Sequence, residues 1–415
     1  MFQLGAPERN SYANQKNNSG FYAARSAFYG ILWKTPQDAP TTSSGTTEPE
    51  TTAALSPTEQ ILAGMTTEQK IAQLLVAGLA GTEAGADGTS AVADYQVGGI
   101  ILFGRNVSDS CQLTALTNQL KALNGDYIPL FLCVDEEGGR VSRMPPEITD
   151  IPCAYTYGNL SKPNLLTHLG STLGAECAAF GLNLDFAPVM DVFSNPDNTV
   201  IGDRSYSSVP DTAAWAAALV AGGLRDTGII AAGKHFPGHG DTVTDSHTEL
   251  PVIDKTREEW NQTDAVPFRE AVRSGIPVIM TGHILMSSLD SENPATLSHT
   301  IVTEILREEM GFDGVICTDD LTMGAISKTY GIGEAAVRAV AAGCDLLLIC
   351  HESENLKAAY DALCAAVESG RISEERLNES VSRILSLKIE YKLTNDPIAI
   401  PDVDALNRQI KEILP

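Results

Sequence analysis

The chain has 415 residues, 43% of them apolar and only 20% charged, so it can bury a large core and is neither disordered overall nor fibrous. Its 53 acidic residues outnumber 28 basic ones, for a formal charge of −25. This balance argues against a nucleic-acid partner, disfavours an anionic membrane surface, and needs no catalytic meaning beyond solubility.

Residues 1–57 differ from the rest. Asn, Ser, Tyr and Gly dominate their first half, and TPQDAPTTSSGTTEPETTAALSP (35–57) is a Thr/Ser/Pro/Glu tract. Such composition cannot bury enough apolar surface to offset chain entropy, so it reads as a disordered leader and linker. AFYGILW (27–33) sits at the lower limit of a secretory apolar core and lacks a clear cleavage site. No apolar run approaches the roughly 20 residues of a membrane-spanning helix. The eight cysteines lie mostly inside apolar runs such as FLCV and LLLIC, which suits reduced core thiols. The cysteines therefore fit a cytoplasmic setting and the leader a cell-surface one.

From residue 58 to 395 the text is regular. Ser56 and Thr66 are candidate helix N-caps, and Thr66 with Gln69 fits a capping box. Eight short apolar runs follow: 74–79, 98–103, 129–135, 182–189, 229–236, 277–284, 314–321 and 345–350. Continuous apolar character is what a strand covered on both faces requires. Amphipathic stretches at 110–123, 164–181, 212–228, 257–275, 301–311 and 331–343 separate them, and 354–393 closes the domain as a helix in two segments. Nearly every run ends in polar residues (VDEEGGR, FAPVMD, KHFPGHG, TGHI, TDD). Loops that converge on one mouth predict a single closed (β/α)8 barrel of the TIM type, because an open doubly wound sheet would gather them at its switch point. Residues 396–415 read as a polar, Pro-punctuated tail.

Three segments carry chemistry. KHFPGHGDTVTDSHTELP (234–251) packs Lys234, His235, His239, Asp241, Asp245 and His247 behind a strand, in a loop that Pro237, Gly238 and Gly240 keep from being helical. Zinc ligation by His235, His239 and Asp245 or His247 is one use, but an i, i+4 His pair suits a metal only on a helix. Asp245 orienting His247 is the better use, since i, i+2 side chains share a side of extended backbone. Lys234 and His235 should leave the strand in opposite directions. In GVICTDDLTM (314–323), Asp319 and Asp320 end a buried strand, so that one faces the mouth while the other caps the next helix. In VDEEGGRVSR (134–143), Asp135 can accept from vicinal hydroxyls, and Arg140 and Arg143 offer donor forks or pair with it; IGDRS adds Arg204. With no phosphate cradle and no metal signature, this set suits a neutral polyhydroxylated ligand.

With these motifs in place, residues 60–393 resemble glycoside hydrolase family 3, in particular its bacterial β-N-acetylglucosaminidases. The resemblance rests on VDEEGGRVSR, LNLDFAPVMDV, IGDRSY, KHFPGHGDTVTDSH, GFDGVICTDDLTM and AAGCDLLLIC. It implies Asp319 as nucleophile, Asp245 and His247 as the acid/base dyad, sugar contacts from Asp135, Arg143, Arg204, Lys234 and His235, retention of anomeric configuration, and no cofactor or metal. Relatives acting on glucosides or xylosides draw their acid/base from a second domain; here about 20 residues follow the barrel, so the histidine loop is expected to supply it. Alternatives are a family 3 β-glucosidase or β-xylosidase, an N-acetylglucosaminide phosphorylase, and a non-catalytic cell-wall sugar-binding module.

Overall fold

The computed structural model describes residues 55–160, 162–242 and 249–415. The leader, apart from Leu55, Ser56 and Pro57, lies outside the described residues, as do Asp245 and His247. Both N-terminal caps form. Ser56 and Thr66 each accept the N–H three residues on, from Glu59 and Gln69, whose side chains bond back to the cap N–H groups. The helix Pro57–Gly64 thus begins inside the stretch read as linker.

All eight apolar runs become barrel strands: β1 (Leu75–Gly78), β2 (Gly99–Leu102), β3 (Phe131–Val134), β4 (Leu184–Asp185), β5 (Ile230–Phe236), β6 (Val278–Thr281), β7 (Val315–Asp320) and β8 (Leu346–Ile349). They pair in parallel in chain order and close when β8 joins β1, through Leu75 opposite Leu347. This is the closed parallel α/β barrel expected from the polar strand ends. Almost every strand residue is buried, because helices cover the outside and side chains fill the inside.

The helices follow their amphipathic stretches with two instructive differences. The 257–275 stretch splits into Arg257–Gln262 and Ala265–Ser274. Pro267, which lacks an N–H, is tolerated only in the first turn of a helix, so the chain restarts just before it. Thr300–Glu309 winds as a wider helix, closed by Met310 N–H to the Ile305 carbonyl, where an ordinary α-helix was expected. In the tail, Val403–Ile413 is helical and buries Ile410 and Ile413. Outside the barrel, Val252–Ile253 and Leu285–Met286 form a small parallel pair that the apolar runs did not announce. All eight cysteines are free thiols, five of them buried.

Candidate active site

A cavity of about 530 Å³ opens at the C-terminal ends of the strands. Ile101, Met280 and Leu348, from β2, β6 and β8, line it together with residues of the loops that follow β3, β4, β5, β7 and β8. The described residues thus include Asp135, Arg143, Arg204, Lys234, His235 and Asp319 around one space, six of the eight side chains singled out in the sequence. Asp245 and His247 belong to the undescribed 243–248.

Asp135 directly follows β3, and the chain then turns through Gly138 and Gly139, both with positive φ (74° and 59°). A Cβ on Gly139 would stand 2.7 Å from the Cys153 Cβ, so only glycine fits the turn that returns Arg140 and Arg143 to the rim. Lys234 reaches back across the barrel. Its Nζ donates to Asp135 Oδ1 at 2.5 Å and lies 2.7 Å from Glu137 Oε1. Arg204 grips the same Glu137 with both arms of its fork, Nε to Oε2 at 2.8 Å and Nη2 to Oε1 at 2.7 Å. Burial would raise the Glu137 carboxyl, but Arg204 and Lys234 hold it well below the usual carboxylate range. Two carboxylates and two cations therefore form a closed, charge-balanced network. Arg204 lines the cavity, yet it spends its fork on Glu137, a residue that sequence reasoning passed over. Its signal was present: the third acid in a row, directly before a Gly pair and close to a strand end.

Arg140 turns outward to Asp203 (2.9 Å) and to the carbonyls of Thr199, Val200 and Ile201. It does not pair with Asp135. Arg143 lines the cavity; its Nη1 donates to the Ser142 carbonyl at 3.1 Å, and its buried Nε has no hydrogen-bond partner among the described residues.

His235 and Lys234 line the same cavity and do not diverge. The β5–β6 register shifts between Gly233 and Phe236, so the alternation of a regular strand does not hold at this point. The Lys234–His235 peptide is cis. His235 Nδ1 lies 2.6 Å from Asp191 Oδ2, and Asp191 also accepts the N–H groups of His235 and His239. Burial pushes Asp191 up, but the two histidines outweigh it and keep the group ionised, so Nδ1 carries the proton and Nε2 is left for the cavity. Asp191, the Asp of FAPVMD in the loop after β4, therefore does for His235 what Asp245 was expected to do for His247. The loop is held from behind. Trp260 Nε1 donates to the Pro237 carbonyl at 2.8 Å, and Gly240 packs so closely that a Cβ would lie 1.6 Å from the Val192 carbonyl. His239 is buried, sits 2.7 Å from the Thr242 hydroxyl through Nδ1, and is lowered to about 4 by burial and by His235, hence neutral. No group of three metal-ligating side chains is gathered among the described residues.

Asp319 and Asp320 play different parts, but neither caps the next helix: Gly324–Tyr330 begins after Met323 with no side-chain cap, because Asp320 is held by the turn before it. Asp320 is tied down: Oδ1 accepts from Thr322 N–H (2.9 Å) and Cys350 N–H (3.1 Å), and Oδ2 from the Thr322 hydroxyl. His283 Nε2 donates to the Asp320 carbonyl at 2.9 Å and so locks the strand end. Asp319 is left facing the cavity, with the Asp320 N–H on its Oδ1 at 2.8 Å. Burial would raise its carboxyl; His283, His235, that N–H and Lys234 hold it below the usual range. An ionised carboxylate at the mouth of a barrel is a competent nucleophile.

Comparison with known proteins supplies the family. The profile described as glycosyl hydrolase family 3 N terminal domain matches residues 66–387. The chain belongs to glycosyl hydrolase family 3. Beta-hexosaminidase A of Pseudoalteromonas piscicida is 35% identical over 335 residues, 74% of this chain and 56% of that one. A beta-hexosaminidase of Tolumonas auensis is 41% identical over 273 residues, 64% of this chain and 79% of its own length. A family 3 β-N-acetylglucosaminidase from Paenibacillus sp. str. FPU-7 superposes with a TM-score of 0.81 at 40% identity, over 84% of this chain and 68% of that one. The fold, the family and glycoside hydrolase character stand on these matches.

Proposed function

We propose that this family 3 hydrolase is a retaining β-N-acetylglucosaminidase acting on terminal N-acetyl-β-glucosaminides of peptidoglycan or chitin fragments. The observation that carries the reading is the exposure of ionised Asp319 to a cavity whose facing wall offers Asp135, Arg143, Lys234 and His235 to sugar hydroxyls and the acetamido group. The hexosaminidase relatives support the choice of sugar. Asp319 attacks the anomeric carbon; a C–O bond to the carboxylate forms as the glycosidic C–O bond breaks. His247, oriented by Asp245, gives its proton to the departing oxygen. It then takes a proton from the water that attacks the anomeric carbon and frees Asp319. Arg204 acts through Glu137, keeping the Asp135–Lys234 pair in place.

In the test, 4-nitrophenyl N-acetyl-β-glucosaminide is hydrolysed with the β-anomer as first product by NMR, and Asp319→Ala lowers kcat by at least about a thousandfold. Normal turnover by that variant, or a first-formed α-anomer, overturns the nucleophile assignment. The Asp191–His235 pair supports a second reading of the acid/base. An acid variant suffers least on a good leaving group, so the two readings separate in His247→Ala and His235→Ala. Whichever loses far more activity on a methyl glycoside than on the 4-nitrophenyl glycoside names the proton donor. Running the same assays with inorganic phosphate distinguishes water from phosphate as acceptor.

A further inference from the structure

Past the closing helix Glu374–Glu390, the chain climbs the outside of the barrel. Asn395 Nδ2 donates to the carbonyls of Gly125 and Tyr127, which precede β3 at the N-terminal end of the strands. Three residues on, Ile398 and Asn118 exchange two hydrogen bonds, Ile398 N–H to Oδ1 at 2.8 Å and Nδ2 to the Ile398 carbonyl at 2.9 Å. Asn118 sits on the helix Ser110–Asn124, which leads back from the C-terminal end of β2, so the tail travels towards the cavity mouth. There the helix Val403–Ile413 packs on the helix Pro163–Ala179 and buries Ile410 and Ile413. Its Asn407 makes a second reciprocal pair, this time with the loop after β3. Thr149 N–H donates to Asn407 Oδ1 at 2.7 Å, and Asn407 Nδ2 donates to the Glu147 carbonyl at 2.9 Å. An amide that both donates to and accepts from one stretch of backbone fixes its position and its orientation.

That loop is the one that presents Arg143 to the cavity. Only Met144, Pro145 and Pro146 stand between Arg143 and Glu147. Two consecutive prolines restrict the backbone, so a hold at Glu147 is felt at Arg143. Ile148 N–H closes the turn onto the Pro145 carbonyl, and the Ile151 carbonyl takes the N–H of Gly139, in the turn ahead of Arg143. From the barrel side, Glu136 holds the Arg143 N–H at 2.8 Å, and Ser110 reaches the Glu147 carboxylate at 3.4 Å. The loop is therefore pinned from within by Glu136 and from outside by Asn407. We propose that Asn407 is a positioning residue and the tail helix an external brace, which sets the Arg143 loop and so governs substrate affinity without touching the reacting atoms. This rests on the sugar-binding role given to Arg143 above.

The test measures KM and kcat for 4-nitrophenyl N-acetyl-β-glucosaminide in the full chain. Asn407→Ala, which removes the clamp, and Ile410→Ala, which loosens the same helix without touching the loop, are each expected to raise KM about fivefold, the size of one net hydrogen bond, and to change kcat less than about twofold. In an Arg143→Ala background neither should raise KM further, because the residue being positioned is gone. An unchanged KM in both single variants, a fall in kcat as large as the rise in KM, or the same rise over Arg143→Ala would each overturn the brace. Amide hydrogen exchange gives a readout that needs no substrate. In Asn407→Ala the Gly139, Arg143 and Thr149 N–H groups should exchange about fivefold faster while those of His235 and His239 do not change. Unaltered exchange of the first three overturns the brace, whereas inactivity of the unmodified chain with the exchange result intact overturns only the choice of sugar.

Discussion

Two walls of one cavity are built from different materials. The loops after β3, β4 and β5 make a wall of charge, in which Asp135, Glu137, Lys234 and Arg204 neutralise each other while Asp191 orients His235. The ends of β2 and β8, with Met323 beyond β7, make a more apolar wall of Ile101, Phe103, Met323 and Leu348, where Phe103 stacks on His351 and Arg105 turns its charge onto two backbone carbonyls. The charged wall needs partners for every ion because desolvated charge without a partner costs several kcal/mol. The apolar wall needs only shape. The contrast teaches where binding is directional and where it is permissive.

Three substitutions probe that contrast, beyond the loss of Asp319. The largest effect is expected from Glu137→Ala, which strips Lys234 and Arg204 of a shared buried partner. It should cost about 3–5 kcal/mol in denaturant unfolding and most of the activity. A loss below about 1 kcal/mol would mean that the charged wall is not coupled in this way. Next comes Glu136, which faces away from the cavity, accepting from Ser142 and from the Arg143 N–H, beneath the same wall. Burial, partly offset by those hydrogen bonds, raises its carboxyl to about 7. A group raised in the folded state keeps its proton there while the unfolded chain has lost it, so stability falls as pH rises from about 4.5 to about 7. The buried carboxyls of Asp185 and Glu176 shift in the same direction, chiefly through burial, and each has an oxygen without a partner among the described residues. Glu136→Gln should remove about 3 kcal/mol of that dependence, read as a flatter plot of Tm against pH. An unchanged slope would reassign the proton elsewhere. The smallest effect is expected from Arg140→Ala at the rim, where both partners of the Arg140–Asp203 pair are about half exposed. It should cost no more than about 1 kcal/mol by urea unfolding and barely alter KM. A large KM change would extend the binding wall outward to Arg140.

Much of this could be read in the sequence, and for definite reasons. An apolar run such as GVICTDDL states both that a strand is buried on two faces and that its end is polar, so the barrel and the position of Asp319 follow from one segment. The division between Asp319 and Asp320 was legible as alternatives, one free and one structural; the Thr322 and Cys350 contacts decided it. Glu137 and Asp191 were quoted within motifs but given no role, because their roles lie in partners 67 and 44 residues away. Lys234 and His235 were expected to diverge, since strand alternation is a local rule that the register shift in β5 overrides.

The sequence by itself determined the elements and their order, because apolar periodicity, capping boxes and Pro267 act within a few residues. It also determined the family, because the ordered motifs are specific. Only the tertiary structure decided which carboxylate balances which cation, which wall is charged and which is aromatic, and that Phe103 meets His351. These pairings depend on barrel closure, which brings together chain ends about 250 residues apart, and Coulomb and stacking forces act over a few ångströms of space irrespective of chain distance.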